Sequence, residues 1–337
     1  MKAVSYQHSL SIDQADALVD VTLPDPVASG HDLLVEVRAV SVNPVDVKKR
    51  AGAQPGSNEW KVLGWDAAGV VRAAGPEVRM FKPGDRVWYA GSITRPGSNS
   101  ELQLVDERIV GKMPGSLDFA AAAALPLTSL TAWEMLFDRF CIPQGDTANG
   151  KSLLIIGAAG GVGSIMTQLA RRLTGLTVIG TASRPETQDW VLQAGAHHVI
   201  DHTQPFAPQL AKIAIPNPDY VASLTHTDQH FEQIAEVIAP QGKFGLIDDP
   251  DFFDVRNLKR KSVSLHWELM FTRSMFNTDD MVRQHHILTE VATLVDDEVL
   301  RTTVADHFGQ INAANLKRAH ALIESGKSRG KIVLEDF

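Results

Sequence analysis

The sequence predicts an α/β protein with a doubly wound parallel sheet and a separate β-rich domain. Three observations point there. From about residue 125 the chain alternates strands and helices at the spacing of βαβ units. A glycine-rich turn, Ile155 to Gly163, lies between an apolar run and an amphipathic stretch. The first hundred or so residues hold short strand candidates broken by Gly and Pro. The length of 337 residues suits two domains.

In order, Asp32 to Val42 alternates and is rich in Val, and Gly69 to Ala73 and Arg86 to Tyr89 are shorter strands. Gly75-Pro76 and Lys82-Pro83-Gly84-Asp85 mark turns. Asp118 is placed to cap a helix over the alanines at 120–124, and a second helix is expected from Ser129 to Phe137. Ser152 to Ile156 and Thr177 to Thr181 read as strands. Between them Val162, Ile165, Met166, Leu169 and Leu173 recur at helical spacing. Pro185 opens the next helix. His198 to Ile200, Tyr220 to Leu224, Lys243 to Ile247 and Ser262 to Trp267 continue the buried strands. Asp279 to Leu294 and Ala313 to Ser325 look helical, and Lys331 to Glu335 is a final strand.

Hydrophobic residues make up 44% and charged residues 21%, with a net charge of -8. An acidic chain whose densest basic run is Lys259-Arg260-Lys261 is expected to bind neither nucleic acid nor an anionic membrane. The single cysteine, Cys141, excludes an intrachain disulfide and suits a reducing compartment. Met1 to Asp20 lacks an apolar signal region, and the run Phe119 to Leu127 is short for a bilayer and contains Pro126. A cytoplasmic location is the expectation.

Ala158, Gly160 and Gly163 match the pattern G-x-G-x-x-G with alanine at its first position. Together with Gly161 and Val162 they would bring backbone and a helix N-terminus to a pyrophosphate, as in a Rossmann dinucleotide site. The second strand ends in Thr181-Ala182-Ser183-Arg184. An NAD site usually places a carboxylate there for the ribose 2′-OH. Ser183 and Arg184 offer a hydroxyl and a guanidinium instead, which suits the 2′-phosphate of NADPH.

Two other reductase chemistries lack their residues. None of Tyr6, Tyr89 and Tyr220 has Lys four residues on, so no Tyr-x-x-x-Lys pair exists. A structural zinc lobe needs four cysteines.

The chain resembles the medium-chain dehydrogenase/reductase superfamily, and within it the quinone oxidoreductase (zeta-crystallin-like) branch. Some of those relatives are called zinc-type alcohol dehydrogenase-like. The motifs are Val42-Asn43-Pro44-Val45-Asp46, Leu63 to Gly69, Leu125-Pro126-Leu127-Thr128 with Thr131-Ala132-Trp133, the Ala158–Gly163 turn, and Gly195 to Asp201. The resemblance implies a GroES-like catalytic domain over 1–124 and 269–337 and a Rossmann domain over 125–268. It implies that Asn43, Trp65 and Leu127 stand where zinc enzymes carry ligands, so no metal is expected. Asn43, Asp46, Lys48, Trp65 and Thr128 are its substrate-side candidates; Lys48 replaces a tyrosine common in that branch. His202 and Lys331 join the cofactor residues. A homodimer is the family expectation.

Without a metal, acceptors that delocalise the arriving charge are favoured, namely quinones and α,β-unsaturated carbonyls. The alternatives are a zinc-dependent alcohol dehydrogenase using other ligands and a non-catalytic NADPH-binding protein. His197, His198, Asp201 and His202 read as a βα edge rather than a metal cluster. His285-His286 read as a solvated helix face, and Asp248, Asp249, Asp251 and Asp254 as a solvated loop.

Overall fold

The computed structural model describes residues 1–57, 59–148 and 150–337. The chain divides into two compact units: Met1–Leu130 with Phe271–Phe337, and Thr131–Met270. These boundaries fall a few residues later than 124 and 268, because the helix Pro126–Trp133 runs through the first of them.

In the second unit six strands form one parallel sheet. They are Ser152–Ile156, Thr177–Thr181, His198–Ile200, Tyr220–Ser223, Lys243–Leu246 and Ser264–Trp267. Numbered within the unit, their order is 3-2-1-4-5-6, the doubly wound arrangement whose crevice opens beyond the strands' carboxyl ends. The first strand is buried at all five positions, as a central parallel strand with both faces covered must be. The helix Gly161–Leu173 packs Ile165, Met166, Leu169 and Ala170 inward. Phe206, Leu210, Phe231, Ile234 and Phe244 belong to a second cluster around Leu154 and Val221.

The first unit is built on a seven-stranded sheet. Asp32–Val42 is its hub, pairing antiparallel with Ala67–Ala74, Leu102–Asp106 and Lys331–Glu335. The pairing of Ile332 with Val42 brings the C-terminal strand against the start of the helix Pro44–Gly52. Asp118 Oδ1 accepts from the Ala121 N–H at 2.7 Å and caps Phe119–Ala123.

Several elements differ from expectation. The helix expected from Ser129 starts at Pro126 and continues as a π-helical turn, Glu134–Arg139. With Phe119–Ala123 this makes a 21-residue apolar stretch, longer than the sequence suggested, but 89% of its most apolar 18-residue window is buried inside the protein. The helix expected from Asp279 begins at Arg283. His286 is exposed on it, whereas His285 turns inward: its Nδ1 lies 2.6 Å from the Val110 carbonyl and its ring meets Phe81 edge-on.

Candidate functional site

In the second unit, the chain leaves the first strand at Gly157, whose φ of +80° is open to glycine at little cost. Gly157, which the fingerprint match passed over, is therefore the residue that makes the turn. Its N–H donates to Thr181 Oγ1 at 3.1 Å, tying the loop to the end of the second strand. Gly160 caps the helix in an extended conformation, and no acidic residue stands in the first turn. The first-turn N–H groups of such a helix have no intrahelical acceptor, and its dipole presents positive potential there.

The two fingerprint glycines differ in what they avoid. A Cβ on Gly163 would lie 2.5 Å from both Ala158 Cα and the Gly157 carbonyl oxygen. Helix and loop touch there, so Gly163 is required by packing. A Cβ on Gly160 would meet only the Gly157 oxygen, at 3.4 Å. The fold hardly needs a glycine at 160; a ligand approaching the backbone does. Gly161 and Val162 are half-buried in the same turn, and Ala158 is buried. Ser164 Oγ donates to the Gly160 carbonyl at 2.7 Å and accepts from Trp190 Nε1 at 2.8 Å, bracing the turn from behind.

Beyond the second strand, Ser183 is half-buried and Arg184 caps the helix Pro185–Gln193. Thr187 Oγ1 donates to the Arg184 carbonyl at 2.8 Å. The guanidinium lies 3.3 Å from Glu186, both side chains well exposed, and such a pair holds a side chain only weakly. The register Thr181 opposite Ile200 sets the end of the third strand, and hence Asp201 and His202, beside the end of the second. His202 is half-buried, with its ring edge-on to His230 at 5.9 Å, and burial lowers its pKa. Of the acidic run, Asp248 is no solvated loop residue: it accepts from the Thr227 N–H and hydroxyl at 2.9 and 2.5 Å, capping the helix Thr227–Val237.

In the first unit, the C-terminal strand, the hub strand and two helix starts converge on a buried polar cluster. Lys331 Nζ lies 3.0 Å from Asp66 Oδ2 and 3.1 Å from the Val42 carbonyl, and also donates to Asn43 Oδ1. The Asn43 amide donates to Asp66 Oδ2 at 3.0 Å. Asp66 Oδ1 accepts from the Leu127 N–H at 2.8 Å. Asp46 Oδ2 accepts from the Asn43 N–H at 2.6 Å, while its Oδ1 has no hydrogen-bond partner among the described residues. Burial pushes the Asp46 carboxyl up to about 7, against the pull of the Asn43 N–H and Lys331. Burial raises Asp66 as well, opposed by Lys331 and Asn43.

Asn43, Asp46, Trp65 and Thr128 are thus all buried in this unit. Trp65 Nε1 donates to the Ser92 carbonyl at 3.1 Å, and Thr128 Oγ1 to the Leu125 carbonyl at 3.1 Å. Lys48 is the exception, exposed on the helix Pro44–Gly52. Lys331, expected at the cofactor, has its three ammonium protons matched by three oxygens of its own unit. Asp66 is the member that sequence reasoning left without a role, although it lies inside the quoted Leu63–Gly69 motif. A cavity of about 170 Å³ lies in the same unit, bordered by Ser92, Arg95, Gln103, Ser274, Asn277 and Met281.

Residues 29–123 match the alcohol dehydrogenase GroES-like domain family, and residues 194–334 the zinc-binding dehydrogenase family. A zinc-type alcohol dehydrogenase-like protein of Staphylococcus epidermidis is 39% identical over 336 residues, 99% of each chain. The chain is a medium-chain dehydrogenase/reductase. Human quinone oxidoreductase is 37% identical over 188 residues, covering 53% of this medium-chain dehydrogenase/reductase and 52% of the human protein. A Rhizobium etli structure bearing a provisional zinc-dependent alcohol dehydrogenase name shares 57% identity and a TM-score of 0.96, over 100% and 98% of the two chains. The Escherichia coli quinone oxidoreductase complexed with NADPH shares the fold, with a TM-score of 0.84 at 24% identity over 99% and 100%.

The zinc in those names does not fit the residues present. The candidate ligand positions hold Asn43, Trp65 and Leu127. The Asn43 carboxamide is bound to Lys331 and Asp66, and the Trp65 ring nitrogen is a donor. Among the described residues no group of three His, Cys, Asp or Glu could hold a metal ion. A nicotinamide dinucleotide does fit: the open face at Gly160 and the helix N-terminus behind it suit a pyrophosphate.

Proposed function

We propose that this medium-chain dehydrogenase/reductase is an NADPH-dependent, zinc-independent reductase of quinones or α,β-unsaturated carbonyls. The observation that carries the reading is the contrast between Gly163, demanded by packing, and Gly160, open on its outer side. Ala158 and Gly160 to Gly163 would hold the pyrophosphate. Ser183 and Arg184, with His202 beside them, would meet the 2′-phosphate through a hydroxyl and a charge-assisted guanidinium.

The bound nucleotide supplies hydride. The chain's own residues shape the acceptor's surroundings. Asn43, Asp46, Trp65 and Thr128, all buried, would stand behind the acceptor, and Lys48, exposed on the helix Pro44–Gly52, would be the substrate-side cation. The saturated ammonium of Lys331 supports a positioning role, holding the Asn43 carboxamide, rather than cofactor contact. With no Lewis acid among these residues, an acceptor that spreads charge over a conjugated system needs the least help. The edge strand Ser264–Trp267, with Trp267 and Leu269 exposed, supports pairing with a second copy.

The test is NADPH oxidation by the purified protein with a panel of quinones and small enones, alongside simple aldehydes and ketones. Turnover of the conjugated acceptors that survives exhaustive chelation is the expected result. Turnover only of simple carbonyls with stoichiometric, chelatable zinc would replace this reading with a zinc alcohol dehydrogenase.

A further inference from the structure

The cavity of about 170 Å³ in the first unit takes no part in the function proposed above. None of Asn43, Asp46, Lys48, Trp65 and Thr128 borders it. It runs from the surface inward: exposed Asn277 stands on its border, and so does Gln103, which is 4% exposed. Other polar side chains on the border are engaged. The hydroxyls of Ser92 and Thr94 lie 3.0 Å apart, and Ser274 Oγ donates to the Phe271 carbonyl at 3.1 Å. Arg95 donates through its terminal nitrogens to the Asp32 carboxylate at 2.7 and 3.0 Å. Asp106 accepts from the Arg108 guanidinium at 2.9 and 2.7 Å. Gln103 differs. Its Nε2 donates to the Pro96 carbonyl at 3.1 Å, which fixes the amide's orientation, because a flipped amide would set oxygen against oxygen. Its Oε1 is buried and has no hydrogen-bond partner among the described residues.

We infer that this cavity is a binding site for a neutral, ring-sized compound whose O–H or N–H group donates to Gln103 Oε1. Size, walls and charge define the class. A cavity of ~150 Å³ takes a benzene ring, so this one has room for one ring of that size. Val105, Ile109 and Met281 are buried on its border and offer the ring apolar contact. A buried acceptor without a donor is costly, so a ligand that supplies one gains over a ligand of the same shape that does not. Arg95 and Asp106 each already face an opposite charge, which favours a neutral ligand over an ion of either sign.

The cavity neighbours Trp65 without including it. Ser92 accepts from the Trp65 indole through its carbonyl, and a Cβ on Gly91 would lie 3.7 Å from Gln103 Nε2 and 4.0 Å from Trp65 Cδ1. Phenols and hydroquinones carry the donor that Gln103 lacks; quinones do not. Binding here is independent of the reaction proposed above and is read without nucleotide or turnover.

The experiment is fluorine NMR titration of the full chain with para-fluorophenol and with para-fluorotoluene, which has the same shape and no donor. Wild type should bind para-fluorophenol saturably, with a dissociation constant of about a millimolar or below, and about tenfold more tightly than para-fluorotoluene. Gln103→Leu keeps the bulk and removes the acceptor, and should bring the two affinities within about twofold of each other. Met275→Trp, at a half-buried position on the border, should fill the cavity and abolish binding of both probes. No saturable binding of para-fluorophenol to wild type, or binding unchanged in Met275→Trp, overturns the inference. So do equal wild-type affinities for the two probes, which would leave water as the partner of Gln103, and a preference that survives in Gln103→Leu. If Gln103→Leu does not fold, the wild-type preference and its loss in Met275→Trp decide the matter.

Discussion

Lys331 and Asp66 form an ion pair at 3.0 Å whose two side chains are 3% and 0% exposed. They are far apart in the sequence. Only the antiparallel pairing of the C-terminal strand with the hub strand puts them in reach. A buried pair of this kind gains little over an apolar one, but breaking it strands a charge. Lys331→Met should therefore cost about 3–5 kcal/mol in denaturant unfolding. Adding Asp66→Asn should recover part of that loss, because the second change removes the stranded carboxylate; a double variant worse than the sum of the two singles would refute the pairing.

Asp46, pushed up to about 7 by burial, makes the same unit sensitive to base. A raised carboxyl pKa contributes stability below the unfolded value near 3.8, and that contribution is lost as pH rises through about 7. Asp46→Asn keeps an acceptor for the Asn43 N–H and should flatten the stability profile between about pH 5 and 8. Chemical unfolding at a series of pH values measures this.

His320 works in the opposite direction. It is fully buried, neither ring nitrogen has a hydrogen-bond partner among the described residues, and burial with Arg50 nearby lowers it to about 3. Unfolded protein then takes up a proton that native protein refuses. Stability falls as pH drops below about 6.5, by up to ~1.4 kcal/mol per pH unit. His320→Leu should lessen this acid sensitivity, seen as a shallower fall of the unfolding midpoint between about pH 6 and 4.

Gly160→Ala and Gly163→Ala separate ligand approach from packing. At 163 the added Cβ meets backbone at 2.5 Å, so the unfolding midpoint should fall clearly. At 160 it meets one oxygen at 3.4 Å, so the midpoint should barely move. Affinity for NADPH should still drop by about tenfold or more in Gly160→Ala, since the methyl group displaces the pyrophosphate from its donors. Titration calorimetry with unchanged NADPH affinity would place the phosphates elsewhere.

Arg184→Asp tests the cofactor choice. Replacing a charge-assisted partner of the 2′-phosphate with a like charge should weaken NADPH by about tenfold to a hundredfold and leave NADH within a few-fold. Equal losses for the two nucleotides would remove Arg184 from the 2′-phosphate.

By itself the sequence determined the parallel sheet, the glycine turn with its helix, and the membership that the motifs carry. These are local signals: a buried strand, a run of glycines and a 3.6-residue period are each written in consecutive residues. It also located the substitution of Asn43 and Trp65 for metal ligands, because identity at a motif position needs no coordinates. Only the tertiary structure decided what those residues do to one another. Gly157 rather than Ala158 makes the turn, since a positive φ is a property of backbone path. Lys331 is spent on Asn43, Asp66 and Val42, because strand pairing across nearly the whole chain length brings them together.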